Sequence, residues 1–246
     1  MKRIFISLLC VLLATTAVAA AAAKPKHPAD SPWGGSVSFG YAGTTGNSNN
    51  TNINGKAKGT YKDEHWDNTA QFTTYYSESD NAKNGQRYSG LVEVDYYFHK
   101  NMYLFSTNTG TNDPFATYDW TESNAIGAGY RFVNNSHVSL DMQAGPGFRY
   151  QRDATTFENY RQAIALVAGT FTWNITPHSK FKEVVSTEIG NPNIYTKLAT
   201  SLTANIIGNL SAEIGYTVEE NTFIPPSSEN TSHWDTLTEV TLVYNF

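Results

Sequence analysis

Near the end of the chain, Ser232, His233 and Asp235 place a hydroxyl, an imidazole and a carboxylate within four residues. These are the groups with which nucleophilic hydrolases activate an attacking oxygen. His233 and Asp235 fall on one row of a two-residue repeat, and none of the local motifs of such hydrolases surrounds them. No catalytic residue is assigned, and the chain is expected not to be an enzyme. His65, His99, His137 and His178 are candidate metal ligands, one in each of four short polar links. Links of successive hairpins lie two strand spacings apart, roughly 10 Å, while Zn–N bonds are about 2 Å. No metal and no cofactor is therefore expected. The Gly-Pro-Gly at 145–147 is expected to bend or bulge a strand rather than to cradle a phosphate.

The remaining chemistry-bearing residues are charges, and their meaning depends on the elements that carry them. Twelve segments alternate apolar and polar residues with period two: 33–43, 52–62, 66–77, 86–98, 102–111, 123–133, 137–151, 160–174, 180–189, 195–206, 210–220 and 234–246. Short polar links at 62–65, 99–101, 134–137, 176–179 and 207–209 occupy every second junction. Longer ones at 78–85, 112–121, 152–159 and 220–232 occupy the others. Tight turns at one end and long loops at the other are the pattern of hairpins threaded through a membrane.

The N-terminus supports export. Lys2 and Arg3 precede an apolar run over 4–13 and a small-residue stretch, the layout of a secretory signal peptide spanning 1–23, followed by a short segment over 24–32. Cys10 lies within it, so no disulfide is available to the remaining chain. Removing Lys2 and Arg3 from the formal charge of −5 leaves about −7, which excludes a basic nucleic-acid surface. The chain is 13% aromatic yet its mean hydropathy is −0.41. Many rings on a polar average suit a barrel that is apolar outside and polar inside, the inverse of a soluble barrel.

The expected fold is thus all-β, an antiparallel up-and-down transmembrane β-barrel of about twelve strands over 33–246. Trp33, Trp66, Trp173 and Trp234 near strand ends are expected to form interfacial aromatic girdles. Ile164, Leu166 and Ala168 are expected to face outward, and Tyr103 to join a girdle. The polar rows then face a lumen lined by Lys56, Lys58, Asp67, Arg87, Glu93, Asp95, Arg131, Asp141, Arg149, Arg161, Lys182, Glu188, Lys197, Glu213, Asp235 and Glu239. Mixed signs imply salt-bridged interior layers around a small wet pore rather than a ring of one sign. The final strand runs to Phe246 and must pair with the first, because an open sheet edge is not allowed in lipid.

Two stretches carry a family resemblance. The opening "GSVSFGYAGTTGNSNNTNINGKAKGTYK" and the closing "TSLTANIIGNLSAEIGYTVEENTFIPPSSENTSHWDTLTEVTLVYNF" resemble the ends of the salt-induced outer-membrane protein family, domains of unknown function from bacterial envelopes. The resemblance implies a bacterial outer-membrane location and brings no catalytic residues. The alternate residues Leu242, Tyr244 and Phe246 resemble the C-terminal signal by which such barrels reach their assembly machinery. The expected partners are outer-membrane lipid and that machinery, with small ions or solutes in the lumen and no nucleic acid. The expected function is a small-solute or ion pore. The alternative is a non-conducting structural or adhesive barrel acting through its loops, above all 220–232.

Overall fold

The computed structural model describes residues 31–44, 50–80, 82–226 and 232–246. The expected signal peptide and most of segment 24–32 lie outside the described residues. Twelve strands follow one another: β1 (Trp33–Thr44), β2 (Asn50–Lys62), β3 (Trp66–Ser79), β4 (Ala82–His99), β5 (Met102–Asn112), β6 (Tyr118–Asn134), β7 (Val138–Asp153), β8 (Asn159–Thr176), β9 (Ser179–Gly190), β10 (Ile194–Ile207), β11 (Leu210–Asn221) and β12 (Trp234–Asn245). Each pairs antiparallel with its sequence neighbours, and β1 pairs with β12, so the sheet closes on itself as expected. The closing register runs from Ser36↔Asn245 to Phe39↔Leu242. Beyond it, Gly35 and Phe246 exchange both backbone bonds at 3.0 Å, which satisfies the last residue's amide.

Period-two alternation sends one row of each strand outward. Val37, Phe39, Ile126, Ile214, Val240 and Leu242 lie on that face and are exposed, an apolar belt that water would not tolerate. All five tryptophans, Trp120 included, also point outward and are 39–68% exposed. Trp33 meets Tyr61 edge-on at 4.8 Å, and Trp66 meets Tyr96 at 4.9 Å, both at the turn end. Trp173 is likewise near a turn, whereas Trp120 and Trp234 mark the loop end.

The turns share one device. Asp63 Oδ1 accepts the backbone N–H groups of His65 and Trp66 at 2.8 Å, and Asn135 Oδ1 accepts those of His137 and Val138 at 2.9 Å. Thr176 Oγ1 accepts from His178 N at 3.1 Å. These are side chains standing in for a turn's missing backbone partner. The carbonyls of His65, His137 and His178 then accept from Tyr97, Asn174 and Asn205 on the next hairpin, each at 2.7 Å. The histidines thus stitch turn to turn through their backbones. The N–H of His65, the Tyr61 hydroxyl and the N–H of Trp66 hold the Asp63 carboxyl below the usual carboxylate range. That cap is present above the ordinary carboxylate pKa and is lost as pH falls through the lowered one.

Two expectations about the strands need correction. β4 and β6 begin at Ala82 and Tyr118 rather than near 86 and 123, so the link expected over 112–121 contracts to 113–117. These extensions carry polar residues on both faces, which leaves no periodic signal. The second concerns facing. Tyr103, Phe105 and Leu166 point inward and are buried with Ala125, and Tyr97 and Ala168 pack against them. Ile164 is inward and buried as well. On β8 both rows contain apolar residues, and the more buried row faces inside.

This inner apolar wall rests on glycine. A Cβ at Gly129 would stand 2.1 Å from Tyr103 Cζ, and one at Gly127 would stand 2.7 Å from Phe105 Cε1. The rings lie directly over bare backbone. At the Gly-Pro-Gly segment the β6–β7 pairing lapses between Ala125↔Gly147 and Ala128↔Ala144, while β7 stays in register with β8 through Pro146↔Ala165. Proline has no N–H to donate to β6, so the ladder opens at that point. Gly145 and Gly127 face each other across the gap, where a Cβ at Gly145 would lie 2.0 Å from the Ile126 carbonyl oxygen.

Candidate functional site: the lumen

The inward rows surround a cavity of about 1620 Å³, lined from His178, Asn205 and Asn245 at the turn end to Asp113, Asn221 and Asp235 at the loop end. β5 to β8 contribute the aromatic and aliphatic wall described above. Serine, threonine and charged side chains from all around the ring line much of the remainder.

Charges inside the barrel form three layers of ion pairs. At the loop end Arg87 Nε bonds Asp113 Oδ2 at 2.7 Å, and its Nη1 bonds Glu219 Oε2 at 3.1 Å. Lys197 Nζ holds the other Glu219 oxygen at 2.8 Å. Arg87 is on β4 and Glu219 on β11, with β3, β2, β1 and β12 between them around the ring, so this chain of pairs crosses the lumen. Beside it Arg149 is fully buried, bonded to Glu188 Oε2 at 3.1 Å, Gln162 Oε1 at 2.7 Å and the Asn193 carbonyl at 2.6 Å. Ser123 Oγ donates to the same Glu188 oxygen at 2.8 Å. A buried guanidinium needs acceptors of this kind to offset its desolvation; Nη1 and Nη2 have them, while the buried Nε has no hydrogen-bond partner.

In the middle layer Lys56 Nζ reaches Glu213 Oε1 at 3.0 Å, Thr203 Oγ1 donates to Glu213 Oε2 at 2.9 Å, and Asn54 Nδ2 donates to Glu239 Oε1 at 2.8 Å. At the turn end Arg131 Nε meets Asp141 Oδ1 at 2.5 Å, and its Nη2 lies 3.8 Å from Asp67 Oδ2. Its guanidinium lies 5.0 Å from the Tyr97 ring centre. Lys62 Nζ takes the same Asp67 oxygen at 2.5 Å. Glu93 accepts from Gln143 Nε2 at 3.3 Å, and Asp95 is buried on the β4 wall.

Of the residues expected to line the lumen, Lys56, Lys58, Asp67, Arg87, Glu93, Asp95, Arg131, Asp141, Lys182, Glu188, Lys197, Glu213, Asp235 and Glu239 do border the cavity. Arg149 is inward but enclosed by its partners. Arg161 is corrected: it is exposed on the outer face, 5.9 Å from the Tyr150 ring centre, while Gln162 occupies the inward place. At the loop end of β8 a long cationic side chain reaches out along the wall with its head free to meet water. Asp113, Gln143, Gln162 and Asn193 were not singled out beforehand. Their uncharged or loop positions carry no sequence signal, and only closure of the ring brings them to the charges.

The Ser232, His233 and Asp235 cluster is not assembled as a relay. Ser232 Oγ donates to the Trp234 carbonyl at 2.7 Å, and His233 Nδ1 lies 2.6 Å from the Asn221 carbonyl oxygen, so that nitrogen carries the proton. Among the described residues no group of three or more His, Cys, Asp or Glu side chains is placed to hold a metal ion.

Comparison with known proteins agrees with this architecture. The chain is 23% identical over 221 residues to the uncharacterized protein YdiY of Escherichia coli K12, covering 88% of this chain and 84% of that one. A COG4313 outer membrane channel from Pseudomonas putida F1 superposes with a TM-score of 0.50 at 11% identity, over 90% of this chain and 100% of that chain. The translocator domain of the autotransporter NalP from Neisseria meningitidis gives 0.49 at 8% identity, over 87% and 88%. At 11% identity the match to the COG4313 channel speaks for the closed barrel alone. A family model matches residues 37–246, nearly the whole barrel, and the chain belongs to that family, described as proteins of unknown function, DUF481.

Proposed function

We propose that this protein is a bacterial outer-membrane barrel through which small polar solutes or ions pass. The observation that carries the reading is the polar cavity lined from turn end to loop end inside an apolar outer belt. A barrel whose side chains filled its interior would leave no open space of about 1620 Å³ among its charged rows. The expected signal peptide over 1–23 would take the chain across the inner membrane and then be cleaved. Lipid would cover the belt, with the N- and C-terminal ends of the barrel on the periplasmic side. Single-channel recording of the refolded mature protein in a planar bilayer tests the pore, with discrete current steps as the expected result. Silence from protein whose unboiled band migrates differently from its boiled band would sink it.

A second reading has its own observation. The Arg87–Glu219 pair spans the lumen at 3.1 Å, and Asp113, Thr117 and Tyr118 are buried beneath the same mouth. A barrel strapped in this way could serve as a rigid stage for its loops, and a silent bilayer would favour that role.

Assembly is the third part of the proposal. Leu242, Tyr244 and Phe246 point outward along the closing strand and are 50–63% exposed, a surface open to the assembly machinery before lipid covers it. Deleting Phe246 removes that ring and both backbone bonds to Gly35. The expected outcome is a fall of about tenfold or more in heat-modifiable barrel recovered from outer membranes, two lost backbone bonds being worth that much at the least. Wild-type recovery would remove Phe246 from the signal.

A further inference from the structure

Six of the inward cations are held in ion pairs, as described above. Three are not: Lys58 on β2, and Lys180 and Lys182 on β9, have no carboxylate within ion-pair distance among the described residues, and all three border the cavity. They are also one another's neighbours. Lys182 lies within electrostatic reach of Lys58, Lys180 and Lys56, and Lys58 within reach of Lys180 and Lys56. β2 and β9 stand nearly opposite each other in the ring, separated by β1, β12, β11 and β10. Ammonium groups therefore converge from two walls on one stretch of lumen.

Like charges gathered in this way repel, and more strongly beside protein walls than in bulk water. Of the carboxylates nearby, Glu213 and Asp67 are held in ion pairs and Glu93 is not. Glu213 is taken by Lys56 and Thr203, and Glu93 accepts from Gln143. The hydroxyls of Thr172 and Ser201 line the same cavity and supply neutral donors.

The geometry points to a binding site for a small polyanion in the turn-side half of the lumen, held by Lys58, Lys180 and Lys182. The ligand carries two or more carboxylate or phosphate groups, since a molecule with negative charge at both ends meets the ammonium groups of both walls at once. This deepens the pore reading, for it names the class of solute that dwells in the channel. Glu93 faces the site from the β4 wall and limits its affinity for the most highly charged anions.

Equilibrium binding separates this site from conduction. The refolded mature barrel, in a zwitterionic detergent at low salt, is titrated calorimetrically with citrate and, separately, with pyrophosphate. Saturable binding of at least one probe is expected, weakening as salt rises. Lys58→Gln, Lys180→Gln and Lys182→Gln are each expected to weaken it by about tenfold, the worth of one charge-assisted bond. The triple variant loses it, and Glu93→Gln binds more tightly. Citrate without pyrophosphate identifies carboxylate chemistry, and the reverse identifies phosphate. Each glutamine relieves repulsion, so the variants keep the heat-modifiable band and their loss of binding is not loss of fold. No saturable binding of either probe to the wild type, or binding that the triple variant retains, overturns the site. A barrel that conducts but binds neither probe disproves the site alone, and one that binds but never conducts disproves the pore alone.

Discussion

Gly145→Ala should leave most of the protein unable to reach the heat-resistant barrel form. The new methyl carbon would stand 2.0 Å from the Ile126 carbonyl oxygen and 2.6 Å from Gly127 Cα, both backbone atoms that no rotamer change can move aside. β6 and β7 must separate, and Phe105 and Tyr103 lose the floor on which they lie. Overpacking of this kind costs about 3 kcal/mol where the neighbours can yield, and more where they are backbone. Gly127→Ala should behave alike, with its added carbon 2.2 Å from the Ala144 oxygen. Gly59→Ala is the control, since nothing lies within 4 Å of its added carbon, and it should be neutral. The check is the urea midpoint of the folded band in micelles. A Gly145→Ala midpoint equal to that of Gly59→Ala would show that the wall does not depend on its bare backbone.

Removing the strap at the loop end should raise single-channel conductance by about twofold to fivefold, because the narrowest part of a pore dominates its resistance. The variant to use is Arg87→Ser with Asp113→Ser. It takes away one cation and one anion and leaves Glu219 its bond to Lys197 at 2.8 Å. Since one charge of each sign is lost, the change should appear in current amplitude and hardly at all in reversal potential. Conductance equal to wild type would place the constriction elsewhere, most naturally at the facing lysines or beside the Tyr103 wall.

The strands were legible because the outer belt enforces a strict rule. Every outward position in the belt must be apolar, so Val37, Phe39 and Tyr41, or Ile126, Ala128 and Tyr130, announce themselves in a single pass. The opposite row could be named for the same reason, and fourteen of the expected charges border the cavity. Arg161 escaped the rule because it lies at the loop end, where the outer face is already polar and alternation loses its meaning. Tyr103, Phe105, Ile164 and Leu166 escaped it because an interior wall of apolar side chains obeys the same period as the exterior one. Partners across the lumen were beyond reach. Arg87 and Glu219 are 132 residues apart in sequence, and their meeting follows from the curvature of the ring rather than from either local pattern.

The ring is uneven in a way that has mechanical meaning. From β5 to β8 the sheet is backed by a second layer of interlocked rings and side chains, and β7 runs with β8 from Val138↔Trp173 to Arg152↔Asn159. The joint between β1 and β12 runs from the Gly35–Phe246 backbone bonds through Ser36↔Asn245 to Phe39↔Leu242, far shorter than the β7–β8 pairing. A hoop that is thick on one flank and thin at its clasp does not deform evenly. When a bilayer of mismatched thickness or lateral crowding squeezes it, the strain gathers at the clasp while the thick flank keeps its curvature.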